Sequence, residues 1–161
     1  IRITPDGFQF QMAFERPDQP TMQDLTSITH ETLLLEVRKQ LPHPVDTESQ
    51  LDGTNVLTGG KPGEVIVRIN DDEISIAVFA IRWDGPHTPV VNPRELAKFS
   101  WKLLPASQTI KAVQGFISSA VQLRRAEYRQ CEKCGETKPP EWMLDKRVCH
   151  SCAEQHLGVI Y

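Results

Sequence analysis

The chemistry of this chain lies in its cysteines. Cys131-Glu-Lys-Cys134 and Cys149-His-Ser-Cys152 are two C-x-x-C pairs separated by fourteen residues, and the sequence has no other cysteine. A tight backbone turn lets both thiolates of one pair reach a single metal ion, and two pairs complete the four-coordinate shell that zinc adopts. Gly135 follows the second thiol and suits the positive φ that such a turn commonly needs. Cys131, Cys134, Cys149 and Cys152 are therefore expected to bind one Zn2+, with an iron–sulfur cluster or rubredoxin-like iron as the remaining metal reading. Two readings use the same thiols without metal. A thioredoxin-type redox pair needs a strand before it and a helix after it inside a βαβ unit, and neither pair has that setting. Two disulfides would belong to an exported chain, and no basic start followed by an apolar run is seen. A cytoplasmic location is expected.

The other chemistry-bearing residues are weaker candidates. Four thiolates close a tetrahedron, so His150 is expected to face solvent or to hydrogen-bond a sulfur, and the zinc to be structural. His30 and His43 read as surface or capping residues. Gly59-Gly60-Lys61-Pro62-Gly63 lacks the Gly-x4-Gly-Lys-Ser/Thr order of a phosphate loop and runs into a strand, so it reads as a turn. Asp71, Asp72 and Glu73 sit at a hairpin tip without spaced partners and read as solvated turn residues. No local Ser-His-Asp or Cys-His signature is present. A non-enzymatic role is favoured.

Composition excludes some partners. No apolar run approaches the roughly 20 residues that span a bilayer, so no membrane association is expected. Net charge is −3, too negative for non-specific coating of nucleic acid. Residues 1–109 hold 10 Lys+Arg against 15 Asp+Glu, a balance of −5; residues 110–161 hold 8 against 6, a balance of +2. The basic side chains gather around the cysteines: Arg124, Arg125, Arg129, Lys133, Lys138, Lys146 and Arg147. They are the candidate contacts to an anionic partner, with Tyr128 or Trp142 available to stack on a base.

Elements must position these residues, and an α+β fold is expected to do so. Phe8, Phe10, Met12 and Phe14 alternate with polar residues and predict a strand near 7–15. Leu25, Ile28, Leu33, Leu34, Val37 and Leu41 predict a helix near 22–41, capped by Thr21 or Asp24 and stopped by Pro42. Residues 42–63 read as a long loop. Residues 64–69 and 73–83 read as a β-hairpin turned by Asn70-Asp71-Asp72. Asn92-Pro93 opens a predicted helix near 93–104, and Ser107 caps another over 107–129. The elements do not alternate regularly, so a small antiparallel or mixed sheet with helices on one face is expected. Two units follow: an α+β domain over 1–130 and a four-cysteine module over 131–161.

That module resembles treble-clef and zinc-ribbon fingers. Cys131-x-x-Cys134-Gly135 matches their knuckle, and residues 137–148 would form a hairpin or loop. Trp142, Met143 and Leu144 would pack beneath the metal, and Cys149-x-x-Cys152 would open a short helix over 153–157. The resemblance implies a structural zinc and leaves three functions. A protein-interaction or scaffold module comes first, and the apolar end Leu157-Gly158-Val159-Ile160-Tyr161 would serve it by packing back or docking on a protein partner. A nucleic-acid reader comes second. A metal-dependent nuclease comes last, since no histidine lies between Gly135 and Val148 to act as general base.

Overall fold

The hairpin read over residues 64–83 is the centre of the sheet in the computed structural model, which describes residues 27–158 and Ile160. Its strands are β3 (Val65–Ile69) and β4 (Glu73–Val78), joined by an Asx turn. Asn70 Oδ1 accepts the backbone N–H groups of Asp72 (2.9 Å) and Glu73 (2.7 Å). This is the local bonding that makes asparagine a turn residue. Val67 faces Ile76 and Ile69 faces Ile74 across the pair, so one side of both strands is aliphatic and buried.

Three expectations are corrected around this hairpin. Residues 42–63 are not a loop: β1 (Val45–Ser49) and β2 (Asn55–Gly59) form a second hairpin inside them. Only Val45 and Leu57 of these strands join the core, so apolar alternation is faint, but Asp52-Gly53 was a legible turn signal. Gly53 has φ 86°, and Asp52 Oδ1 accepts the Thr54 N–H at 2.9 Å. The expected second strand over 73–83 divides after Val78. Its end becomes β5 (Ile81–Trp83), paired with β6 (Pro89–Val91) in a separate small hairpin.

The third correction concerns residues 93–104, which are strand β7 (Arg94–Ser100) followed by a single 3-10 turn at Trp101–Leu103. β4 is buried and needs a neighbour on its free edge, and that pairing outweighs the Asn-Pro capping signal. Ala97 stands opposite Ile76 and Phe99 opposite Ile74; a bulge then leaves Leu96 unpaired and turned into the core. Trp101 closes the corner, its Nε1–H donating to the Asn70 carbonyl at 3.0 Å.

The large sheet is fully antiparallel, in the order β1-β2-β3-β4-β7. One face packs on two helices; the other carries Thr58, Arg68, Ser75 and Lys98, the partners of the aliphatic face by alternation. Helix α1 (His30–Gln40) starts at Thr29, whose hydroxyl accepts the Thr32 N–H. That start is later than the expected 22–41, and Thr21, Asp24 and the strand near 7–15 lie outside the described residues. Helix α2 (Ala106–Ala126) follows Pro105, and Ser107 is not its cap. Its buried stripe is Thr109, Val113, Ile117, Ala120 and Arg124. Of the apolar residues expected there, Phe116 and Leu123 are exposed.

Two glycines report on this packing. A Cβ on Gly63 would lie 2.6 Å from the Phe79 ring, which leaves no room. Gly63→Ala should destabilise by about 1–3 kcal/mol. Gly115 sits on the exposed side of α2 with open space around it. Gly115→Ala should stabilise by about 0.5–1 kcal/mol, because glycine costs a helix interior about that much. Urea midpoints of the two variants check both signs.

Candidate metal centre

The knuckle hangs on the end of α2. Strand β8 (Arg129–Gln130) pairs with β9 (Thr137–Lys138), and Cys131 to Glu136 form the tip between them. The Cys131 N–H donates to the Glu136 carbonyl at 2.9 Å, and the Gly135 N–H to the Cys131 carbonyl at 2.8 Å. Gly135 has φ 75°, as the turn demands. The hairpin therefore holds the knuckle at its tip and takes in only Thr137–Lys138 of residues 137–148, so most of that segment follows the loop alternative. That segment is a 3-10 turn (Pro140–Trp142) and a loop closed by the Leu144 N–H on the Val148 carbonyl at 2.9 Å. Asp145 Oδ1 accepts the N–H groups of Arg147 and Val148, which hold its carboxyl below the ordinary range.

Cys149 then precedes helix α3 (His150–Leu157), which ends at Gly158 with φ 64°. The four Sγ atoms lie within 4.8 Å of one another, and Cys134 Sγ is 4.0 Å from Cys149 Sγ. A tetrahedral metal–thiolate shell with bonds of about 2.3 Å has edges of about 3.8 Å, so the cluster can hold one metal ion with sub-ångström contraction. No pair is at disulfide distance, and all four cysteines are free thiols. Cys131, Cys149 and Cys152 are buried and Cys134 is exposed.

The shell is also electrostatically prepared. The backbone N–H of Cys134 and then that of Cys149 stabilise the Cys131 thiolate and hold its thiol down to about 6. Cys149 N lies 3.4 Å from Cys131 Sγ. Burial, and then the neighbouring thiols, push Cys152 up to about 12. Metal binding to a thiol cluster is coupled to proton release, because the thiolate is the ligand.

The apolar support beneath the cluster is Met143, Val148 and Ala153. Of the three residues expected there, Met143 is buried, whereas Trp142 and Leu144 are exposed. Leu157 and Ile160 are exposed too, Ile160 by 94%, so the apolar end does not fold back through them.

The basic residues do not form one free face. Arg124, grouped by sequence with the surface contacts, is 1% exposed. It continues the buried stripe of α2, four residues after Ala120, and that spacing was the signal for its burial. Its guanidinium forks onto the Glu141 carboxylate, with one bond at 3.1 Å, and its Nε–H donates to the Gly63 carbonyl at 3.1 Å. The Phe79 and Tyr128 rings both lie against it, ring centres 5.3 and 5.4 Å from Cζ. Glu141 is the residue the sequence did not single out. It ties the cysteine-bearing segment to the sheet, and its carbonyl accepts the Trp83 Nε1–H at 3.2 Å. Arg125 pairs with Glu64 at 2.8 Å, Arg147 with Glu132 at 3.1 Å and Lys138 with Glu136. Arg129 donates to the carbonyls of Ala126 and Tyr128. Only Lys133 and Lys146 of the seven are exposed without a partner among the described residues.

His150 lies edge-on to Trp83, ring centres 6.4 Å apart, on the first turn of α3. His30, expected at the surface or as a cap, is the first residue of α1 and lies near Trp101, ring centres 6.0 Å apart, with its Nε2 buried. Among the described residues no helix is long and apolar enough to cross a membrane. No family model, no curated protein and no solved structure matches the chain. The cysteine cluster is thus the strongest guide to function.

Proposed function

We propose that the chain is a zinc protein whose four-cysteine finger is structural and serves to present a protein-binding surface. The observation that carries this reading is the convergence of all four Sγ atoms within 4.8 Å. Soft thiolates in tetrahedral array select zinc over harder cations. Four of them leave no vacant position for substrate or activated water, so the metal organises the fold and does not act on a reactant. A knuckle at a hairpin tip, with the second pair opening α3, supports the treble-clef arrangement over a zinc ribbon.

Protein binding is favoured over nucleic-acid binding by the state of the basic side chains. Exposed Arg125 and Arg147 and half-buried Lys138 each have a glutamate partner, and phosphate contact would have to compete with it. The module over 131–161 is taken as a unit of its own attached to the domain over 1–130.

Elemental analysis is expected to give one zinc per chain, and cobalt substitution a tetrahedral thiolate spectrum. Titration with single- and double-stranded DNA and RNA at low ionic strength is expected to show no binding. Tight binding lost steeply with added salt would reverse the choice of partner, and a metal-free native protein would remove the assignment altogether.

A further inference from the structure

Next to the cysteine cluster, the β5–β6 hairpin and the segment after the knuckle enclose an open cleft of about 670 Å³. Two tryptophans line it, Trp83 from β5 and Trp142 from the 3-10 turn, 44% and 46% exposed. Half-exposed indoles in a concave site are the residues that most often anchor a partner. Trp83 is fixed in place by its bond to the Glu141 carbonyl and by the edge of His150. Pro86 and Pro89 add rigid apolar wall.

The charge of the cleft selects the guest. Glu154, on the second turn of α3, lines the cleft and has no ion-pair partner among the described residues. Lys138 also lines the cleft, but Glu136 neutralises it and it lies over the Trp142 ring at 5.8 Å. That indole face accepts a cation already. Cys149 lines the wall as well. Four thiolates around one divalent ion carry a formal charge of −2, so the metal centre adds a negative field. A guest anion would meet uncompensated negative charge, whereas a planar cation would meet both a carboxylate and indole faces.

We propose that this cleft binds an arginine side chain of an extended partner peptide, its guanidinium against Glu154 and an indole, its apolar neighbours on Trp83 and the two prolines. The protein makes a similar arrangement internally, where Arg124 lies against two aromatic rings and forks onto Glu141. The proposal rests on a metal-filled cysteine centre, and its test separates the two.

The test is calorimetric titration of the full, zinc-loaded chain with capped pentapeptides, leucine on each side of a central arginine, citrulline or glutamate. The arginine peptide should bind saturably, and the citrulline and glutamate peptides about tenfold more weakly or not at all. Glu154→Lys and Trp142→Ala change exposed side chains, and each should weaken arginine binding by about fivefold to tenfold while zinc content and melting temperature stay unchanged. Equal binding of the glutamate peptide, indifference to Glu154→Lys, or preference for a proline-rich peptide or an oligonucleotide would overturn the proposal and leave the zinc reading intact. A chain that binds no metal would overturn both.

Discussion

Replacing Cys149 with serine should release the metal and unfold the segment from Cys131 onward, while the five-stranded sheet and its helices stay folded. The local core under the cysteines is Met143, Val148 and Ala153, too few side chains to order some thirty residues unaided. Fingers of this size are commonly unfolded without their metal. The sheet has its own buried set, from Leu33 and Val37 of α1 through the aliphatic face of β3 and β4 to Val113 and Ile117 of α2. Two stages should therefore be seen. Amide exchange in α3 and at the knuckle should become fast in Cys149→Ser or after chelation, and exchange in β3 and β4 should remain slow. Concerted collapse of both regions would show a single cooperative core and refute the division into two units.

The second large effect belongs to Arg124 and Glu141. Both side chains are within 2% of complete burial. Either one without the other is an uncompensated charge in an apolar setting, so Arg124→Ala or Glu141→Ala should destabilise by about 3–5 kcal/mol. For a chain of this size that lowers the melting temperature on the order of 10 °C. Replacing both together, Arg124→Met with Glu141→Leu, should recover most of the loss, because the pair's attraction is spent largely on its own desolvation. Thermal unfolding of the three variants checks this, and a double variant as unstable as the singles would show that fork geometry, rather than charge pairing, holds the joint.

What could be read in advance follows from where each signal is stored. The thiol spacing and Gly135 specify a local turn, so the metal cluster needed no knowledge of the rest of the chain. The β3–β4 hairpin was equally local, since Asn70 bonds the very residues it turns. β7 was misread because what makes Arg94–Ser100 a strand is the unfilled edge of β4, some twenty residues earlier in the chain. β1 and β2 were missed because their strands contribute only Val45 and Leu57 to the core, leaving Asp52-Gly53 as the sole strong cue. Arg124 was misplaced for a related reason. A charged residue on a helix is normally solvated, and its burial becomes sensible only once Glu141, seventeen residues on, has come back to meet it. Glu141 itself carries no local mark of its role.

That joint also orders events during synthesis. Arg124 leaves the ribosome seventeen residues ahead of Glu141, and the last thiol, Cys152, follows eleven residues after that. The nascent sheet can collapse first, as N-terminal units do, but its rim around Phe79 and Gly63 keeps an unmatched cation until the downstream segment arrives. On the metal-centre reading, capture of the ion once Cys152 emerges would then fix the segment that bears Glu141. If zinc fills the centre as proposed, a newly made chain starved of it would expose this charged seam to the cell's quality-control machinery, and metal supply would limit how much of it matures.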